Sequence, residues 1–133
     1  MNIAKISDIC LLSKIGDCTF GEVYLSNKEG TKEFYATKKI EKNYIDHQFN
    51  KCFQNEVEII KGLKHQNICR YIDLKQSTNH YYLVMEYING MRLSDCLPIY
   101  QGNNSTSFSE DIVQHIMKQI INAFIYIHNN NNS

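Results

Sequence analysis

An α+β fold is predicted for this chain from three observations. Short runs rich in Ile, Val, Tyr and Leu dominate its N-terminal part, a single stretch of helical apolar spacing interrupts them, and a long amphipathic stretch follows. Together they describe a five-stranded antiparallel sheet with one helix, then a second, longer helix.

The β-type runs occupy residues 9–15, 22–26, 33–40, 68–74 and 81–88. The first pair joins across Gly16 to Gly21, and the second and third join across Asn27-Lys28-Glu29-Gly30, both compatible with hairpins. A helix is predicted over residues 46–63, where Phe49, Phe53, Ile60 and Leu63 recur at helical spacing. Glu56 fills the vacant slot on that stripe, which predicts a carboxylate on the buried face. Residues 98–108 contain the only proline, Pro98, and the polar run Gln101 to Ser107, and read as a polar loop. Ser109 is a plausible N-cap, with Glu110 and Asp111 in the first turn, where acids favour the positive helix end. Ile112, Ile116, Ile120, Phe124 and Ile127 then mark an apolar face over residues 109–128, widened by Val113, Met117 and Ile121. So wide a stripe expects a large partner surface. Residues 129–133 read as a low-complexity tail.

A length of 133 residues allows one domain. With 14 basic and 14 acidic side chains the formal charge is zero, so no global field draws the chain to nucleic acid or to an anionic membrane. Cys10, Cys18, Cys52, Cys69 and Cys96 are odd in number and form no C-x-x-C pair, which argues against a disulfide framework or a zinc site and for reduced packing residues. There is no signal-peptide pattern and no apolar run of membrane-spanning length, so an intracellular, cytoplasmic location is expected.

Two features can carry chemistry. In Ile15-Gly16-Asp17-Cys18-Thr19-Phe20-Gly21-Glu22-Val23, two glycines let a hairpin run tight and bring backbone N–H groups close to a phosphate, although a plain turn also explains them. A Walker loop is excluded, because Glu22 and Val23 stand where it needs Lys and Ser or Thr. In Tyr35-Ala36-Thr37-Lys38, alternation places Ala36 and Lys38 on the face of Phe34. A strand-end lysine can simply snorkel to water. Alternatively, Lys38 and the inward Glu56 can neutralise each other, the usual way a buried charge is tolerated.

The glycine hairpin, the inward lysine and the inward glutamate, taken in order, resemble the eukaryotic protein kinases. The motif G-x-G-x-x-G-x-V is matched at Gly16, Gly21 and Val23, V-A-I-K at Ala36 and Lys38, and the helix glutamate at Glu56. The stretch Leu63-Lys64-His65-Gln66-Asn67-Ile68 resembles the family's His-Pro-Asn-Ile junction, with Gln66 in place of proline. The stretch Tyr82-Leu83-Val84-Met85-Glu86-Tyr87-Ile88 resembles the fifth strand and hinge, and residues 109–128 resemble the long helix that opens the second lobe. The resemblance covers residues 9–128 and implies an N-lobe over 9–88, a hinge exit and loop over 89–108, and the first C-lobe helix over 109–128.

The resemblance further implies an ATP-dependent, serine/threonine-type phosphotransferase lineage. The loop from Ile15 through Gly16, Asp17, Cys18, Thr19, Phe20, Gly21 and Glu22 to Val23 would cover the ATP phosphates. Val23 and Ala36 would lie over adenine, and Lys38 would contact the α- and β-phosphates with Glu56 holding it. Met85 falls at the gatekeeper, and the backbone of Glu86 and Ile88 would bond adenine. Ile60 and Tyr71 resemble packing residues between helix and sheet.

Two departures stand out. Cys18 replaces the second loop glycine, at roughly 1 kcal/mol if positive φ is required there. The 133 residues contain no H-R-D and no D-F-G, so the base and the Mg²⁺ ligands of the family are absent from them. The expectation is an ATP-binding lobe, catalytically inactive as this truncated chain. The alternatives are an interaction module that binds a protein through the apolar face of residues 109–128, or a fragment of an active kinase.

Overall fold

The computed structural model describes residues 4–19, 21–44, 47–100 and 109–131. They divide into two compact units: residues 1–64 with 69–88, and residues 65–68 with 89–133.

The first unit is a six-stranded sheet of β1 (Ala4–Ile6), β2 (Ile9–Cys18), β3 (Gly21–Lys28), β4 (Phe34–Glu41), β5 (Tyr71–Gln76) and β6 (His80–Glu86), with α1 (His47–Gly62). Every ladder is antiparallel, and the strand order is β1-β2-β3-β4-β6-β5. One strand more is present than the periodicity predicts. β1 is three residues long, too short to show an alternation, and it exists because β2 offers it an edge across the Ser7-Asp8 turn.

Alternation gives the sheet two distinct faces. On one, Ile9, Leu11, Tyr24, Tyr82 and Val84 form the core, with Ala4, Ile6, Tyr35 and Ile72 packed against it. Each fully buried aliphatic side chain contributes about 1.5–3 kcal/mol. The cluster joins β1 and β2 to β5, the far ends of the strand order, so the sheet is curled until its ends meet. Asp8 and Lys75 close the same gap as an ion pair of 3.2 Å. Ser26 and Thr37 are fully buried on this face. Their hydroxyl oxygens are 2.6 Å apart and Ser26 Oγ donates to the Tyr35 carbonyl at 3.0 Å, so Thr37 is the donor to Ser26.

The opposite face carries Val23, Leu25, Ala36, Lys38, Leu83 and Met85, and α1 lies against its β6 end. Phe53 stacks on Tyr81 at 5.0 Å between ring centroids, and Tyr81 donates its hydroxyl hydrogen to Asn50 Oδ1 at 3.2 Å. The turn after β3 places Gly30 at a φ of +83°, a conformation that resists any Cβ.

The second unit contains α2 (Leu93–Tyr100) and α3 (Glu110–Asn131). α2 corrects the loop reading of this stretch. The backbone N–H groups of Asp95 and Cys96 both donate to the Arg92 carbonyl, starting a helix that spans the position of Pro98. The remainder of the expected loop, residues 101–108, lies outside the described residues. Ser109 caps α3 as expected: its Oγ accepts the Ile112 N–H at 3.4 Å. α3 runs to Asn131, into the expected tail. Asn67 Nδ2 donates to Gln119 Oε1 at 3.2 Å, and the His65 ring lies 5.1 Å from that of Tyr126.

Candidate functional site

The glycine hairpin is the β2–β3 connection. Gly16 pairs with Val23, Asp17 with Glu22 and Cys18 with Gly21, and Thr19 is exposed at the turn. Phe20 lies outside the described residues. The two glycines answer different needs. A Cβ on Gly21 would sit 1.8 Å from the Lys39 carbonyl oxygen, so the sheet itself demands glycine there. A Cβ on Gly16 would meet nothing nearer than Val23 Cβ at 4.0 Å. The fold therefore leaves Gly16 free to keep a bare, approachable backbone. Cys18 is part of the ladder and has no positive φ, so the strain expected from its Cβ does not arise. Ile15 is 48% exposed beside the hairpin.

Behind the hairpin, the inner face is built from cross-strand pairs. Lys38 stands between Val23 on β3 and Leu83 on β6, and Ala36 between Leu25 and Met85. Ala36 is the smallest side chain on that face. Lys38 is half-buried and forms no ion pair with any described residue. A cation flanked by two apolar side chains and lacking a counter-ion can be met by water or by an anion.

Glu86 ends β6 with its backbone fixed from one side. Its N–H donates to the Arg70 carbonyl at 2.8 Å, and its side-chain Oε2 accepts the Arg70 N–H at 3.1 Å. Burial pushes the Cys69 thiol pKa up, keeping it protonated, and Cys69 Sγ donates to the Glu86 carbonyl at 3.5 Å. A carbonyl has two lone pairs, and Cys69 occupies one of them. Ile88 follows at 62% exposure.

Glu56 corrects the sequence reading. It is exposed and makes no ion pair with Lys38 among the described residues. Val57, 3% exposed, takes the buried slot instead. From Phe53 the stripe advances four residues to Val57 and then three to Ile60, whereas the expected register advanced three and then four. Both are helical spacings. The side chain of Phe49 lies outside the described residues. Val57 is thus one residue the sequence reading missed, signalled only by its i, i+4 relation to Phe53. Lys14 is another, and it reaches the hairpin through an irregularity of β2.

On α3 the expected apolar stripe is divided. Ile112, Ile116 and Ile127 are half-buried, but Met117 (46%), Ile121 (50%), Phe124 (66%) and Ile125 (53%) are exposed. Among the described residues no cluster of three or more His, Cys, Asp or Glu side chains gathers to hold a metal, and no helix is long and apolar enough to cross a membrane. These residues do not fit a Mg²⁺ cage.

Comparison with known proteins follows the same lines. Residues 10–132 match the family model described as the protein kinase domain. The chain is 31% identical over 118 residues to the calcium/calmodulin-dependent protein kinase type II of Schizosaccharomyces pombe, covering 89% of this chain and 22% of that protein. It is 33% identical over 115 residues to myosin light chain kinase A of Dictyostelium discoideum, covering 86% of this chain and 37% of that protein. It is 34% identical over 118 residues to calcium-dependent protein kinase 4 of Plasmodium falciparum, covering 88% of this chain and 21% of that protein. Among solved structures, the PknI kinase domain of Mycobacterium tuberculosis superimposes with a TM-score of 0.80 at 21% identity, over 98% of this chain and 52% of that one. The chain therefore spans well under half of the length of these curated relatives and about half of the solved domain.

Proposed function

The chain belongs to the protein kinase family, and from that premise we propose that these residues form the ATP-binding half of a serine/threonine-type kinase domain. One observation carries the reading: Lys38, half-buried between Val23 and Leu83, has no ion-pair partner among the described residues. A nucleotide phosphate supplies the missing anion.

In this reading the backbone around Gly16 approaches the phosphates, Val23 and Ala36 cover adenine, and Met85 closes the pocket beside Ala36. The backbone of Glu86 and of Ile88 makes the hinge contacts to adenine. Glu56, exposed in this structure, would reach Lys38 only after a rotation or shift of α1. In the family ATP supplies the transferable γ-phosphoryl group, and Mg²⁺ offsets its charge. The described residues provide no cage for the metal, which would arrive with the nucleotide. The 133 residues also lack H-R-D and D-F-G, so this stretch alone binds nucleotide without a base to accept the substrate proton.

A second reading is favoured by the exposed Met117, Ile121, Phe124 and Ile125 on α3. A contiguous apolar surface of this kind marks a docking face, and the unit would then act by holding a partner protein.

Calorimetric titration with ATP, with and without Mg²⁺, tests the first reading on the protein of this sequence. Binding that is lost in Lys38→Met while the unfolding midpoint is kept is the expected result. Phosphoryl transfer from this polypeptide would overturn the inactive reading. Absence of nucleotide binding together with stable hetero-association would favour the docking role.

A further inference from the structure

The nucleotide reading places the β2–β3 hairpin over the phosphates, yet the hairpin carries two acids. Asp17 and Glu22 are cross-strand partners, so two like charges stand directly opposite each other, an arrangement that destabilises a ladder. They share the face opposite to Gly16 and Val23. A second pair of observations shows how this arrangement is tolerated.

Lys14 Nζ is 2.8 Å from Asp17 Oδ1 and 3.5 Å from Glu22 Oε1, bridging both carboxylates. Strict alternation forbids this contact, because residues 14 and 17 are three apart and belong to opposite faces. The ladder is irregular at that point. Between Lys14 and Gly16 the register shifts, so β2 advances from Lys14 to Asp17 while β3 moves only from Tyr24 to Glu22. This bulge puts Lys14 on the face of the two acids. The other oxygen of Glu22, Oε2, accepts a hydrogen bond from Tyr24, whose ring is 8% exposed within the sheet core. That bond, together with nearby Lys14 and Lys39, holds the Glu22 carboxyl below the usual carboxylate range. The hairpin end is thereby tied to the core through Tyr24 and Glu22, and Lys14 offsets part of its charge.

We propose that Lys14 is a positioning residue for nucleotide binding: through the β2 bulge it offsets half of the combined charge of Asp17 and Glu22 on the outer face of the phosphate-covering hairpin. The inference rests on the nucleotide reading given above. Without Lys14 the two carboxylates keep only the nearby Lys39 as a counter-charge and face a polyanion. The penalty is electrostatic, so it acts on phosphates, not on the purine, and it fades with salt as the Debye length shrinks from about 30 Å at 0.01 M to about 8 Å at 0.15 M.

The test compares the full chain with Lys14→Met, and with Lys14→Met combined with Asp17→Asn and Glu22→Gln, by titration with ATP and with adenosine. Lys14→Met is expected to weaken ATP binding about five- to tenfold at low salt, on the scale of one unscreened charge pair about 4 Å apart in bulk water. It should leave adenosine binding unchanged, lose most of its effect at about 0.15 M salt, and be rescued by the two added neutral substitutions. Equal weakening toward ATP and adenosine, or no rescue, would make Lys14 merely structural and overturn the proposal. ATP binding that Lys14→Met leaves unchanged overturns this inference alone, whereas an unsubstituted chain that binds no ATP overturns it together with the nucleotide reading.

Discussion

Gly21 lies directly beneath the backbone of Lys39, close enough that a Cβ on Gly21 would fall 1.8 Å from the Lys39 carbonyl oxygen. The obstacle is backbone in a paired strand, which cannot swing aside as a side-chain tip can. Gly21→Ala should therefore force β3 and β4 apart and cost at least the roughly 1–3 kcal/mol typical of overpacking. Gly16→Ala, with its nearest neighbour at 4.0 Å, should shift urea stability by well under that amount and instead weaken nucleotide binding. Equal destabilisation by both substitutions would contradict the distinction.

On α1, Val57 and not Glu56 is buried. Val57→Ala is expected to cost roughly 2 kcal/mol, from lost burial and the cavity left behind. Glu56→Gln, at an exposed position with no ion pair among the described residues, should stay within about 0.5 kcal/mol. Chemical denaturation of the two variants measures the contrast directly. A large loss at Glu56→Gln would mean that the carboxylate does find a buried partner.

These two cases also show which parts of the structure can be read from sequence. Alternation is a property of one strand, so the common face of Ala36 and Lys38 follows from the residues alone, whereas the pairing of Ala36 with Met85 joins β4 to β6 across α1 and β5 and does not. A bulge is defined relative to a partner strand, and the one that turns Lys14 toward Asp17 leaves no mark in either strand separately. The choice between Glu56 and Val57 has the same character. Both lie on helical spacings from Phe53, and only the surface met by α1 decides between them. β1 and α2 were hidden for simpler reasons: three residues show too little alternation, and Pro98 reads as a break although α2 spans it.

Ser26 and Thr37 make a one-way hydrogen-bond relay in the core: Thr37 donates to Ser26, and Ser26 donates to the Tyr35 carbonyl. The two hydroxyls should therefore respond unequally to removal. Ser26→Ala strands the Thr37 hydroxyl in a fully buried position and should cost about 1–3 kcal/mol. Thr37→Val leaves Ser26 still donating to Tyr35 and should cost less. The double variant, with both polar groups gone, should recover part of the Ser26→Ala loss in a double-mutant cycle. Additive losses would mean that the two hydroxyls do not depend on each other.

Asp8 and Lys75 join strands at opposite ends of the sheet order, so their ion pair closes the curl. Asp73 holds the same ammonium group at 3.1 Å. The contact with Lys75 depresses the Asp8 carboxyl below its ordinary range, outweighing the opposing effect of desolvation. A carboxyl whose folded pKa lies below its unfolded value adds stability above the unfolded value, near 3.9. That contribution is lost as pH falls through the folded value. The same contacts, Asp73 first and Asp8 second, raise the pKa of Lys75. Its contribution is complete below the unfolded lysine value and disappears as pH rises through the folded one. Asp8→Asn should therefore lower the thermal midpoint near neutral pH, and the gap from the unsubstituted protein should narrow as pH is taken from about 6 to about 2. A gap that stays constant over that range would show that the Asp8 carboxylate adds nothing through its charge.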